Sequence, residues 1–193
     1  MTQVEQNARE QPSSRVSQRL WACIVVAILA LAVRGLIYYR LENVLHTEEA
    51  IQGLMARHIR GGEVQLFTYG LSYLGTLQAH WIALCFVLFG SSVAVLKWAA
   101  GVESLLLVAA NYLLAREVAR RTSGEAPYGG PHGERAGLIA ALLTAVGPLY
   151  LVQWSLRPQG GHLEVAALSA FAFWALLRAI RHTGRMPVPP PRA

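Results

Sequence analysis

The side chains able to do chemistry fall in three short stretches: His46, Glu48 and Glu49; Tyr69 and Tyr73; and Arg157, His162 and Glu164. Carboxylates and imidazoles move protons near neutral pH, and an arginine grips anions, so an acidic pair beside a histidine is raw material for acid–base work. The same pair also suits the first turn of a helix, where each acid contributes about 0.3–1 kcal/mol against the helix dipole. No sharper motif competes. The six histidines (46, 58, 80, 132, 162 and 182) form no i, i+4 ligand pair, and there is no phosphate-binding glycine loop, nucleophile elbow or nucleic-acid module. Nothing in the chain calls for a cofactor; a divalent metal is neither required nor excluded.

The elements that must hold these residues read as lipid-facing helices. Of 193 residues 54% are hydrophobic and 15% charged, against roughly 25% charged in soluble domains, and the mean hydropathy is +0.36. Collagen, disorder and disulfide scaffolds are excluded; Cys23 and Cys85 lie inside apolar runs. The 17 basic residues comprise 16 Arg and Lys97, and all 11 acidic residues are Glu, so the chain contains no Asp.

Leu20 to Tyr39 is a twenty-residue apolar run with one charge, Arg34, which matches the roughly 30 Å of hydrocarbon a helix must cross. Residues 1–19 are polar and lack an apolar core with a cleavage site, so the run is expected to be a retained anchor. Further spans are expected at 93–115, which carries Lys97 and Glu103, at 136–153 and at 163–180. Tyr73 to Phe89 is apolar without interruption only over 79–89, about 16 Å of helix, too short to cross. Loop charge arbitrates. If that stretch does not span, Arg9, Arg15, Arg19, Arg116, Arg120, Arg121, Arg135, Arg178, Arg181, Arg185 and Arg192 lie on the cytoplasmic side, and Arg40, Arg57, Arg60 and Arg157 outside. That is eleven against four; a fifth span inverts the count.

The expected fold is therefore an all-α polytopic membrane protein with about four transmembrane helices plus outer-face juxtamembrane amphipathic helices. A cytoplasmic tail (1–19) precedes a membrane domain (20–182) with both termini inside, and a Pro-rich tail (183–193) follows. In the outer loop, 40–92, Thr47 is expected to cap a surface helix whose apolar stripe is Ile51, Leu54, Met55 and Ile59, stopped by Gly61 and Gly62. Residues 73–89 form an interfacial or re-entrant helix. The Gly- and Pro-rich loop 117–135 reads as a linker. Arg34 and Lys97 are expected to snorkel to headgroups, and Glu103 to make an interhelical hydrogen bond or serve ion flux. Trp21, Tyr38, Tyr39, Trp98 and Trp154 fit an interfacial belt. The Arg-rich segments are expected to touch anionic membrane lipid, not nucleic acid.

Several strings carry a resemblance. His46-Thr47-Glu48-Glu49-Ala50-Ile51-Gln52-Gly53-Leu54-Met55-Ala56, Gly61-Gly62, Tyr69-Gly70-Leu71-Ser72-Tyr73-Leu74-Gly75-Thr76-Leu77-Gln78-Ala79, Leu88-Phe89-Gly90, Gly147-Pro148-Leu149-Tyr150 and Arg157-Pro158-Gln159-Gly160-Gly161-His162-Leu163-Glu164 together resemble the N-terminal part of bacterial membrane glycosyltransferases. These belong to the GT-C superfamily, related to glycosyltransferase family 39 and the protein mannosyltransferases. The resemblance implies a polyprenyl-phosphate sugar donor, an acceptor at the outer face of a bacterial inner membrane, and a catalytic base where that family carries Asp in an Asp-Glu pair. The matching positions are Glu48, one methylene longer than Asp, and Glu49. Lys97, Arg157 and Arg40 are the cations available to the donor phosphate, and His46, Tyr69, His162 and Glu164 complete the expected substrate-binding set. Family members are longer, so a second polypeptide supplying further spans is an expected partner. Two other readings stay open: a non-enzymatic assembly partner or degenerate fragment, and a small transporter subunit built around Glu103.

Overall fold

The computed structural model describes residues 3–40, 45–124 and 131–183, and the side chains of 17–40, 45–124 and 131–180. Residues 125–130 of the expected linker and all of the Pro-rich tail from 184 lie outside the described residues. The chain is mostly helical: α1 (Gln3–Arg40), α2 (Thr47–Arg60), β1 (Phe67–Thr68), β2 (Leu71–Gly75), α3 (Leu77–Phe89), α4 (Val93–Thr122), α5 (Pro131–Val146), α6 (Leu149–Trp154) and α7 (His162–Thr183). Three stretches are long and apolar enough to cross a membrane: Ser17–Arg40, Val93–Thr122 and His162–Ile180. An all-α membrane protein is compatible with this architecture, with one small antiparallel hairpin, β1–β2, added to it.

Four of the expected element boundaries differ from the structure, each for a local reason. The run 136–153 is not one helix: α5 stops at Val146 and α6 starts at Leu149. Pro148 has no N–H to give Thr144 and its ring would strike that carbonyl, which breaks the helix. The stretch expected to be helical from Tyr73 starts at Leu77, because 71–75 pairs with 67–68 in the hairpin. The linker narrows from both sides, since α4 continues to Thr122 and α5 begins at Pro131, a residue tolerated in a first turn. Finally α2 begins one residue early: His46 is the N-cap, and its backbone N–H donates to the Glu49 carboxylate at 3.4 Å. Gly61 closes α2, as the Gly61-Gly62 pair predicts.

Helix α4 is the axis of the fold, packing on α3, α5, α7 and α1. Its closest partner is α5, whose Gly133, Gly137, Ala141 and Ala145 recur every four residues and are buried. Small side chains let two helix backbones approach, which is how apolar helices associate when lipid removes the hydrophobic incentive. The approach is tight: a Cβ on Gly137 would lie 2.9 Å from the Tyr112 ring. Asn111 donates to Thr144 across the same seam at 3.0 Å. At the far end of the seam Glu134 gathers Arg116, Arg19 and the Tyr112 hydroxyl, at 2.6, 3.4 and 2.6 Å. A second core, Ala56, Ile82, Ala83, Cys85, Phe86, Leu96 and Ala99, fixes α2 and α3 against the first turns of α4.

Arg34 does not snorkel. It is 2% exposed and donates to Ser104 Oγ of α4 at 2.6 Å, to the Ala30 carbonyl at 3.0 Å and to the Ala145 carbonyl of α5 at 3.2 Å. The guanidinium thus sits at the C-terminal end of α5, where the Pro148 break leaves carbonyls without helical partners.

Candidate functional site

The buried face of α2 is Glu49, Gln52, Gly53, Met55 and Ala56, a polar and small face at helical spacing. The expected apolar stripe only half coincides with it: Met55 is buried, but Leu54 is exposed and Ile51 and Ile59 are half-buried. The inversion has a physical cause, because Glu49 turns inward to meet Lys97 and Arg157, and a buried charge needs such partners. Gly53 permits it, since a Cβ there would meet Leu96 of α4 at 3.3 Å.

Glu49 is fully buried and lies 3.4 Å from Lys97 Nζ through Oε2 and 3.8 Å from Arg157 Nε through Oε1. Two cations and the N-terminal end of α2 therefore converge on one carboxylate. Lys97, 2% exposed, is a buried ion partner and not a snorkelling residue. Arg157 keeps a quarter of its side chain exposed. Glu48, the neighbouring position, is exposed.

A second polar chain adjoins the first. Gln78, at the start of α3, donates to Glu103 Oε2 at 3.0 Å and accepts the Gly160 N–H at 2.8 Å. This gives Glu103 the interhelical bond expected of it. Gly160 and Gly161 have φ of +75° and +78°, and a Cβ on Gly160 would come within 2.6 Å of the Gln52 amide and 2.8 Å of Leu74. Only glycine fits a positive φ pressed that closely against two elements. The loop 155–161 is thereby clamped between α2, β2 and α3, and Glu164 follows it, 7% exposed, beside Glu103. Among the described residues Glu49 Oε1, Gln52 Oε1, Arg157 Nε and both Glu164 oxygens are buried with no hydrogen-bond partner. Buried polar atoms are normally satisfied, so five in one connected cluster mark a place for a polar ligand or water.

The structure therefore brings Glu49, Lys97 and Arg157 of the expected set together, sets Glu164 beside Glu103 in the adjoining polar chain, and leaves others apart. His46 reaches the cluster through its backbone N–H, and the residue is exposed. His162 is exposed with its ring 5.5 Å from Trp154. Tyr69 bonds His58 at 2.7 Å, on the far part of α2. Gln52, Gln78 and Gly160 were not among the expected site residues; the signal in the sequence was glutamines inside otherwise apolar or small-residue helical faces. Among the described residues no group of three or more His, Cys, Asp or Glu could hold a metal ion.

No family model matches the chain, and neither do any of the curated proteins or solved structures.

Proposed function

We propose that this chain is a glycosyltransferase-like membrane module that transfers a sugar from a polyprenyl-phosphate donor to an acceptor at the outer face of a bacterial inner membrane. The observation that carries the reading is the buried Glu49–Lys97–Arg157 ion cluster at the N-terminus of α2, with Glu48 exposed beside it. In this reading the two carboxylates divide the work. Glu48 is the base, since it is accessible to an acceptor hydroxyl. Glu49 is a positioning residue, because its oxygens already face two cations. Arg157, ion-paired yet partly exposed, offers its guanidinium to the donor phosphate.

Length sets the depth of the site. The 30 residues of α4 are about 45 Å long, some 15 Å more than the hydrocarbon thickness. With both termini cytoplasmic and α5–α6 as an interrupted crossing, the surplus belongs to the cytoplasmic end of α4, where Arg116, Glu117, Arg120 and Arg121 leave the hydrocarbon. In this reading Lys97 lies about 6 Å, and Glu103 about 15 Å, inward from the outer end of α4.

The test is transfer of radiolabelled hexose from a polyprenyl phosphate by the chain in proteoliposomes. Glu48→Ala is expected to lower the rate about 100-fold or more; activity that survives it overturns the assignment. An assembly role is the second reading, favoured by the outward face of α3, where Leu84, Val87, Leu88 and Phe89 are 50–74% exposed. It fits a partner polypeptide supplying further spans, and it predicts no turnover by the chain alone.

A further inference from the structure

Between α3, α4 and α7 runs a crevice of about 360 Å³ walled by Trp81, Leu106, Leu163, Leu168 and Phe171, with Glu103 and Glu164 as its acidic members. Its wall is almost wholly apolar. The two carboxyl groups are neighbours, from α4 and α7 respectively. Glu103 receives one hydrogen bond, from Gln78, and Glu164 receives none among the described residues although it is nine-tenths buried. Neither is joined to a cation by an ion pair among the described residues; Lys97 and Arg157 turn to Glu49 instead.

Two neighbouring acidic groups on an apolar wall, with the Gln78 amide as the one donor to them among the described residues, are complementary to an apolar molecule with a positive end. An ammonium has three N–H donors and no acceptor. It can serve the two Glu164 oxygens and the free lone pairs of Glu103 at once, while the Trp81 ring supplies an aromatic face suited to a cation. The tail of such a molecule would run between α4 and α7 along Leu106, Leu168 and Phe171. A small aqueous cation would leave that wall unfilled. We propose that this crevice binds a primary ammonium carried on a long apolar chain, drawn from the lipid phase, with Glu103 and Glu164 as its acceptors. The proposal does not rest on the glycosyltransferase reading, since neither carboxylate is the base assigned there.

The experiment uses the full chain in nanodiscs of phosphatidylcholine, titrated with 3-bromododecylamine (as its ammonium salt) and, separately, 3-bromododecan-1-ol, whose bromine lies beside the head group and so next to Trp81. Bromine quenches tryptophan fluorescence on contact, and Trp81→Phe identifies the Trp81 component. Charge-assisted hydrogen bonds to two carboxyls predict saturable quenching of Trp81 by the amine at a concentration at least about tenfold below that needed for the alcohol. Glu103→Gln with Glu164→Gln should bring the two probes within about twofold while the alcohol still quenches. If that double variant does not fold, methylammonium competition on the wild-type chain decides: 10 mM should leave the amine's half-saturation unchanged. Equal quenching by amine and alcohol in the wild type overturns the proposal. So does an amine preference that survives in a folded double variant, which assigns it to anionic surroundings elsewhere. Displacement by methylammonium also overturns it, in favour of a site for small aqueous cations.

Discussion

Removing the Glu49 carboxylate charge should be among the most destabilising single changes to this molecule. Glu49→Gln keeps shape and burial but removes the carboxylate charge 3.4 Å from Lys97, which is 2% exposed. Breaking a buried pair by deleting one partner costs about 3–5 kcal/mol, because the surviving charge keeps its desolvation penalty. Arg157 contributes little to that figure: its Nε is 3.8 Å away and a quarter of its side chain meets solvent, so it falls in the range of exposed pairs, below about 1 kcal/mol. The expected loss is therefore about 3 kcal/mol. Removing both charges, as Glu49→Gln with Lys97→Met, removes both desolvation penalties and should return most of the loss, leaving the double variant within about 1 kcal/mol of wild type. The assay is reversible unfolding from dodecyl maltoside into dodecyl sulfate, followed by far-ultraviolet circular dichroism, for the wild type, both singles and the double. A coupling energy of about 2 kcal/mol or more is predicted. Additive effects of the two substitutions, or a Glu49→Gln variant within 0.5 kcal/mol of wild type, would refute the ion cluster as the organiser of this end of the fold.

Gly160→Ala should cost about 2 kcal/mol or more in the same assay, because the new methyl group would press on Gln52 and Leu74 at a residue with φ of +75°; a neutral effect would show that loop 155–161 is not clamped. For topology, a single cysteine at Glu125 in a chain otherwise freed of cysteine should resist a membrane-impermeant maleimide added to right-side-out vesicles and react after permeabilisation. Labelling from outside would reverse the assigned orientation.

Local punctuation was what the residues announced most clearly. Gly61-Gly62 stops α2 where it should, and the apolar runs from Leu20, Val93 and Leu163 became the three longest membrane-competent helices. Pro148 was visible too, yet an averaged apolar run hides a single residue that cannot donate. The site was legible only in part. Glu49, Lys97, Arg157 and Glu164 could be picked as charges in improbable places, but their convergence spans more than a hundred residues of sequence, and no period encodes that. Gln52 and Gln78 were hidden because an amphipathic pattern read for water points its polar face outward, whereas α2 buries its own. Glu48 and Glu49 look alike in sequence; their separation into an exposed and a buried residue depends on which way the helix is turned by Gly53 against Leu96.

The guanidinium that closes the broken end of α5 also dictates an order of assembly. An α1 that entered a bilayer as it was made would do so before Ser104 and the Ala145 carbonyl exist, carrying Arg34 with only the Ala30 carbonyl for company. An arginine at the centre of a span opposes insertion by about 2.5–3.5 kcal/mol; Arg34, five residues from Tyr39, costs less than that, and the ten Leu, Ile and Val residues between Leu20 and Tyr39 favour insertion by about 3–6 kcal/mol. The first helix is therefore apolar enough to enter a bilayer alone. Its arginine then waits as a ready-made dock, and α4 and α5 complete the molecule by giving that arginine its partners.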